Sequence, residues 1–245
     1  MRALFISDLH LCEARADLYA AFFALLNGPA REVERLYILG DLFDYWVGDD
    51  DDDPAKLQVG STLRALADRG TGIYFMAGNR DFLIGNDFAT RAGMRILPDP
   101  SVIELDGTRI LLAHGDAQCT DDTAYQAFRN EVRTRAWQDQ FLARPLTERK
   151  AIVDGMRAQS SAATAGKNMD IMDVNPGAIA SLLREHGTPP HFIHGHTHRP
   201  ARHEHTIDGH TCIRHVLPDW RTPNAPHLLW TGTTFQPGAF PPSNA

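Results

Sequence analysis

The chain has 245 residues, of which 43% are hydrophobic, and a formal charge of -7 at pH 7. This length supports one large domain with its own core, and the acidic balance argues against nucleic-acid binding by the surface as a whole. Three cysteines without a CxxC pair argue against a disulfide framework and a thiolate zinc site, and favour the cytoplasm. Because no segment is apolar over the length of a membrane span, we expect any membrane contact to be peripheral.

Five short apolar runs end in polar residues, a pattern that predicts buried strands followed by loops. The runs are ALFISD (3–8), LYILGD (36–41), IYFMAGN (73–79), ILLAHGD (110–116) and HFIHGH (191–196). Helical patterns at 17–26 and 54–70 separate the first three runs. The chain therefore opens with an alternating βαβαβ arrangement.

Two Asp-Gly pairs, at 106–107 and 208–209, lie between strand-like segments and predict β-hairpins. Hairpins next to a βαβαβ opening indicate sheet packed on sheet, so the predicted fold class is a layered α/β core flanked by helices. We expect a single domain over 1–245.

The interval from about 120 to 170 has helical spacing of apolar residues and no strand pattern, which predicts an inserted helical cap. Between Thr123 and Lys167 it carries eight basic and four acidic residues. This composition also fits a solvated helix pair whose arginines cover its own apolar face. The acidic run at 48–54 is expected to be an exposed loop, and the proline-rich end from 235 to 245 a loose tail.

Polar residues follow all five predicted strands, where loops of an open α/β sheet converge. Their carboxylate, amide and imidazole groups suit Mn²⁺, Fe²⁺ or Zn²⁺. Two ions sharing one carboxylate would use all of these ligands and would form a clamp for attack of water on phosphorus. The candidates are Asp8, His10, Asp41, Asn79, His114, His196 and His198.

The order of these motifs resembles the calcineurin-like metallophosphoesterases, whose blocks are DxH, GDxxD, GNH(D/E), an HG pair and GHxH. The resemblance runs from Asp8 to His198 and implies the sandwich fold of that family with two metal ions. It implies three ligands for each ion and one bridge: Asp8, His10 and His198 for the first, Asn79, His114 and His196 for the second, and Asp41 between them. It implies a role in catalysis for Asn79, Arg80, His114 and His196.

Arg80 stands where the GNH(D/E) block usually has histidine. Arginine cannot donate a proton at neutral pH, but its planar fork binds phosphate oxygens. A phosphate leaving group departs as a stable anion without a proton, so the substitution favours a pyrophosphate substrate over a monoester.

Longer segments, among them LYILGDLFDYWVGDD, GNRDFLIG, HGDAQCTDDTAYQAFR and IHGHTHRPARHE, resemble the UDP-2,3-diacylglucosamine pyrophosphatases of lipid A biosynthesis. This resemblance implies Mn²⁺-dependent hydrolysis to UMP and 2,3-diacylglucosamine 1-phosphate, with water attacking the α-phosphorus, at the cytoplasmic face of the inner membrane. The substrate contacts that carry over are Asn79, Arg80, Asp122, Ser160, Lys167 and His196. A further contact falls on Thr164, where the family has an amide side chain.

The predicted cap offers a place for the two acyl chains of such a substrate, and its basic excess could attract anionic lipid headgroups. The apolar candidates for a groove are Phe128, Val132, Trp137, Phe141, Leu142, Ile152 and Met156. These residues could instead pack only on each other.

The sequence leaves two other interpretations of the function open. A related phosphoesterase that acts on a soluble nucleotide would share all five blocks but would not need an apolar cap. A non-catalytic scaffold of the same fold would be expected to have lost ligands, and none is missing here.

Overall fold

The computed structural model describes residues 1–165, 173–221 and 224–241, and for 158–165 the course of the helix without its side chains. Within these ranges the strands form a sheet of six, in the order β11-β10-β1-β2-β3-β4, and a sheet of five, in the order β5-β6-β7-β9-β8. The first sheet contains β1 (Ala3–Ile6), β2 (Arg35–Leu39), β3 (Gly72–Met76), β4 (Met94–Leu97), β10 (His227–Trp230) and β11 (Phe235–Gly238). The second contains β5 (Ser101–Leu105), β6 (Thr108–Leu112), β7 (His191–His194), β8 (Ala201–Ile207) and β9 (His210–Val216).

Strands β1 to β4 are parallel to one another, as the βαβαβ pattern predicts. Both predicted hairpins are present, since β5 pairs antiparallel with β6 and β8 with β9. The helices are α1 (Ala16–Asn27), α2 (Pro54–Ala67), α3 (Asn86–Ala92), α4 (Thr123–Val132), α5 (Arg135–Leu142), α6 (Leu146–Ala165) and α7 (Pro176–Glu185). The predicted mixed α/β fold class is confirmed.

Alternation along β1 shows how the layers form, because successive side chains of a strand point to opposite faces. Phe5 lies in a cluster with Ile110 and Ile193 of the second sheet, so this face fills the space between the sheets. Leu4 and Ile6 lie in another cluster with residues of α1, α2 and α3. A third cluster packs α7 on the far side of the second sheet. The order of layers is therefore helices, sheet, sheet, helix.

Local chemistry sets the helix boundaries. Asp53 accepts hydrogen bonds from the backbone N–H groups of Ala55 and Lys56, and Pro54 occupies the first turn of α2. Asn175 caps α7 in the same way. Among the described residues, no helix is both long and apolar enough to span a bilayer.

Helices α4, α5 and α6 occupy the interval of the predicted cap. Phe141 of α5 is buried in the cluster beneath the first sheet, and Trp137 and Ile152 pack against it. The cap helices thus share part of their apolar surface with the core.

Two minor predictions were wrong. The acidic run is not simply an exposed loop, because Asp51 is 3% exposed and pairs with Lys56 and Lys150. The C-terminal segment is not a loose tail over Phe235–Gly238, because these residues pair with β10. Among the described residues β11 is an edge strand of its sheet, and proline is tolerated on an edge strand.

Candidate metal centre and adjoining groove

The loops after β1, β2, β3, β6 and β7 meet at one edge of the two sheets. Within the first sheet Asp8 donates its backbone N–H to the Gly40 carbonyl, and within the second Gly195 donates to the His114 carbonyl. The His196 N–H donates to the Asp8 carboxylate and so joins a loop of the second sheet to a loop of the first. This edge brings together the seven residues proposed from the sequence as metal ligands.

One group of candidate ligands contains Asp8, His10 and His198, whose ligand atoms all lie within 4.8 Å of one another. His198 Nε2 is 3.3 Å from His10 Nε2 and 3.4 Å from Asp8 Oδ1. Two imidazoles and a carboxylate around one point form a donor set suited to a divalent transition metal.

A second group contains Asp8, Asp41 and His114 within the same distance. The Asn79 side-chain oxygen lies 3.1 Å from His114 Nε2 and 2.8 Å from His196 Nδ1, which adds two further predicted ligands to this side. Asp41 has Oδ1 3.8 Å from His114 Nε2 and Oδ2 3.9 Å from His10 Nδ1. The two Asp41 oxygens therefore face different halves of the centre, while Asp8 belongs to both groups.

The backbone at these positions is unusual. Asp8, His10, Asp41, His196 and His198 all have positive φ, between 50° and 68°. Residues other than glycine seldom adopt this region, and such strain collects at functional sites where the surroundings enforce it.

Glycines allow the loops to lie close together. A Cβ on Gly78 would stand 2.1 Å from Asp41 Oδ1, and one on Gly195 would stand 2.2 Å from Asp8 Oδ2. Any larger residue at either position would push a candidate ligand away.

Asp81 supports the centre without belonging to the predicted set. Its buried carboxylate accepts hydrogen bonds from the backbone N–H groups of Leu42 at 2.7 Å, Gly78 at 2.9 Å and Asp41 at 3.3 Å. It thereby ties the loop after β2 to the loop after β3. The sequence signal for Asp81 was its match to the acidic position that ends the GNH(D/E) block.

The buried charges favour a cation. Burial raises the pKa of Asp41 to about 6, and the Asp8 charge adds to this effect although His114 opposes it. Burial alone would lower the pKa of His114, but the charges of Asp41, Asp116 and Asp8 raise it to about 9. This excess of buried negative charge, together with the donor set and the strained ligand loops, fits divalent metal binding.

A groove with a cavity volume of about 310 Å³ begins beside Asn79 and Arg80 and runs beneath the cap. Four of the apolar cap residues proposed from the sequence line it: Phe128, Trp137, Phe141 and Met156. Val132, Leu142 and Ile152 are not among its lining residues. The groove is also lined by Asp44, which belongs to the GDxxD block, and by residues that the sequence did not suggest for a groove: Tyr45, Trp46, Phe82, Leu83, Ala124, Tyr125, Val153 and Arg157.

Tyr125 marks the boundary between the groove and the metal ligands. Its ring stacks on His196 with centroids 6.0 Å apart, and its hydroxyl donates to Asp116 Oδ2 at 2.7 Å. Arg157 ion-pairs with Asp44 at the groove wall. Their places in the groove were not predicted, because they depend on His196 and Asp44, which are distant from them in sequence.

Arg80 is held by its backbone, which leaves its side chain in the groove. Its N–H donates to Asp41 Oδ1 at 2.9 Å, and its carbonyl accepts from the Trp46 N–H at 3.1 Å. Arg80 also lines the groove, and its positive charge lowers the pKa of both Asp41 and His10, so its side chain lies near the candidate metal ligands.

The other proposed substrate contacts lie around the cap. Asp122 precedes α4 and accepts a hydrogen bond from the Tyr125 N–H at 3.1 Å, so it has a capping role in the structure. Ser160 and Thr164 lie on α6, and their side chains are outside the described part. Lys167 lies outside the described residues.

Comparison with known proteins identifies the class. Residues 1–200 match the family described as Calcineurin-like phosphoesterase, and the chain belongs to that family. A solved archaeal phosphodiesterase aligns over 98% of this chain and 99% of its own length, with 12% identity and a TM-score of 0.49.

Closer relatives narrow the class. The UDP-2,3-diacylglucosamine hydrolase of Aromatoleum aromaticum is 58% identical over 95% of this chain and 94% of its own. The protein of the same name from Escherichia coli O81 is 48% identical over 91% of this chain and 92% of its own. The chain thus belongs with these hydrolases inside the wider family, and it is an enzyme.

Proposed function

We propose that the protein hydrolyses the pyrophosphate bond of UDP-2,3-diacylglucosamine to give UMP and 2,3-diacylglucosamine 1-phosphate, a step of lipid A biosynthesis. The observation that carries the proposal is an apolar groove that opens onto Asn79 and Arg80 beside the candidate metal ligands. The apolar groove can bind the acyl chains of such a substrate, and Arg80 and the metal ligands can bind its diphosphate. The names of the relatives support the same substrate.

We assign two Mn²⁺ ions to the centre, with Asp8, His10 and His198 at one, Asn79, His114 and His196 at the other, and Asp41 between them. Bound divalent ions supply an activated water and neutralise charge on phosphoryl oxygens. One Asp41 oxygen faces His114 and the other faces His10, on different sides of the centre, which supports its bridging role.

Arg80 binds the diphosphate in this proposal. Its guanidinium offers paired donors to phosphate oxygens, and it stays charged throughout the reaction. Attack of water on the α-phosphorus expels the sugar 1-phosphate, whose negative charge needs no proton from the enzyme. A histidine acid at this position is therefore dispensable for this substrate.

The groove takes acyl chain in this proposal. Each buried methylene contributes about 0.8 kcal/mol, so a few enclosed carbons distinguish acylated from unacylated substrates. Ser160, Thr164, Lys167 and Asp122 are proposed to hold the polar head.

We further propose that the protein works in the cytoplasm at the inner-membrane surface and binds no nucleic acid. Exposed Phe128 and Leu142 on the cap support contact with lipid. The basic excess of the cap supports lipid contact less than the sequence suggested, because Arg149 and Lys150 pair with Asp50 and Asp51 of the acidic run at 48–54. Sedimentation with vesicles containing anionic lipid tests the surface contact.

The reaction is tested with purified protein, Mn²⁺ and UDP-2,3-diacylglucosamine in ¹⁸O-labelled water. We expect UMP and 2,3-diacylglucosamine 1-phosphate as products, with the label in UMP. Label in the sugar phosphate would contradict attack on the α-phosphorus. Turnover of soluble nucleotides alone would favour the related phosphoesterase instead.

A further inference from the structure

A buried arginine lies behind the loop that carries His196 and His198. Arg214 is on β9 and is 8% exposed. Its Nη1 donates to His194 Nε2 at 3.0 Å, and its Nε donates to His205 Nε2 at 3.1 Å. A buried guanidinium that bonds to imidazoles costs desolvation energy, which calls for a role beyond filling space.

The hydrogen bonds fix the protonation of His194. Arginine can only donate, so His194 Nε2 must accept and the ring proton must sit on Nδ1. His194 Nδ1 lies 2.9 Å from the Gly195 carbonyl oxygen, which can only accept. Arg214 therefore orients the fully buried His194 as a donor to Gly195.

Gly195 is the residue from which the ligand loop departs. Its N–H donates to the His114 carbonyl at 2.9 Å, and its carbonyl also accepts from the Thr197 N–H at 2.8 Å. The next residue, His196, has φ of 68° and donates its N–H to both oxygens of Asp8. A strained loop of this kind keeps its shape only if neighbouring groups hold it.

The His194 ring also separates two ligand loops. A Cβ on Gly115 would stand 2.9 Å from His194 Nδ1 and 3.0 Å from the Gly195 oxygen. The imidazole is thus packed between the loop after β6 and the loop after β7.

We propose that Arg214 and His194 are positioning residues that hold the Gly195 carbonyl and thereby set the places of His196 and His198 as metal ligands. This inference rests on the proposed metal centre. Neither residue lines the groove that is proposed to bind substrate. Removing a group that orients a ligand typically costs 10-fold to 100-fold in metal affinity.

The test compares variants by calorimetric titration of Mn²⁺ into metal-free protein and by amide hydrogen exchange of Gly195 and His196. Arg214→Met is expected to weaken Mn²⁺ binding by about 10-fold or more and to speed exchange at both amides. Arg202→Met, on the exposed neighbouring strand β8, is the matched control and is expected to behave like the native protein.

Two His194 variants separate positioning from packing. Asn places its amide near the position of Nδ1 and can still donate to Gly195, whereas Gln places its amide near Nε2 and keeps only the contact with Arg214. We expect His194→Asn to retain Mn²⁺ affinity and slow exchange, and His194→Gln to lose both. If Arg214→Met does not fold, these two His194 variants still test whether the hydrogen bond to the Gly195 carbonyl controls Mn²⁺ affinity.

Native Mn²⁺ affinity and native exchange in Arg214→Met, with only a lower Tm, would overturn the inference, as would equal behaviour of the two His194 variants. Failure of the native protein to bind Mn²⁺ would refute the proposed metal centre instead. Amide exchange in the metal-free variants would then decide the positioning role by itself.

Discussion

Asp51 of the acidic run is buried and forms ion pairs with two lysines, one of them on the cap. Replacing it tests how much these ion pairs stabilise the protein. Its carboxylate lies 2.7 Å from Lys56 Nζ and 2.9 Å from Lys150 Nζ on α6. Lys56 is 4% exposed and sits 4.2 Å from the Tyr45 ring centroid. Without the carboxylate, a buried ammonium would lose its counter-charge.

We expect Asp51→Asn to lower the free energy of unfolding at pH 7 by about 3 kcal/mol. This is the low end of the range for breaking a buried pair, because the amide oxygen still accepts from Lys56. Asp52→Asn is the control: its side chain is 82% exposed and 3.7 Å from Lys150, so we expect a change within about 0.5 kcal/mol. Urea unfolding followed by circular dichroism measures both.

The stabilisation by Asp51 also depends on pH. Burial alone would raise the pKa of Asp51, but hydrogen bonds and charges from Lys56 and Lys150 outweigh it and hold the pKa below 3.8. The native state therefore binds fewer protons than the unfolded state, so the stabilisation is complete above about pH 4 and is lost as pH falls through the native pKa. The difference between native and Asp51→Asn protein is expected to shrink in that acid range. Equal stability at pH 7, or a difference that grows in acid, would refute this reasoning.

Three further changes probe the centre and the groove. Gly78→Ala is expected to abolish high-affinity Mn²⁺ binding in a calorimetric titration, because the added Cβ would stand 2.1 Å from Asp41 Oδ1. Gly155→Ala is the control: a Cβ added there would meet no atom within 4 Å, so we expect native Mn²⁺ binding. Arg80→Met is expected to lower kcat by about a hundredfold with metal content retained, and native turnover would contradict its charge-stabilising role. Phe128→Ala, at a 41% exposed groove position, is expected to lower kcat/KM for the acylated substrate by about tenfold and to leave stability nearly unchanged; an unchanged kcat/KM would remove Phe128 from acyl binding.

Local patterns predicted the frame of the fold. The strand that ends before Asp8 and the hairpins at the two Asp-Gly pairs depend on short-range chemistry, and the structure has them. The strand Phe235–Gly238 was missed because Pro237 reads as a strand breaker, and only pairing with β10 makes it an edge strand.

Long-range pairing accounts for what the sequence could not predict at the site. The sequence predicted a solvated acidic run because one partner of Asp51, Lys150, lies almost a hundred positions later in the chain. Arg157 and Tyr125 acquire their places in the groove from contacts with Asp44 and His196, which are distant in sequence. The types of metal ligand and their order could be predicted from the sequence. The hydrogen bond from Arg214 to His194 could not, because it forms only when β7 and β9 pair.

The most direct test of the proposed function compares hydrolysis of UDP-2,3-diacylglucosamine with that of UDP-N-acetylglucosamine by the same enzyme under the same Mn²⁺ conditions. If the groove binds acyl chain beside the metal centre, kcat/KM for the diacylated substrate will exceed that for the unacylated one by at least about a hundredfold, as a few buried methylenes require. Equal kcat/KM for the two would contradict acyl selection and the proposed substrate together.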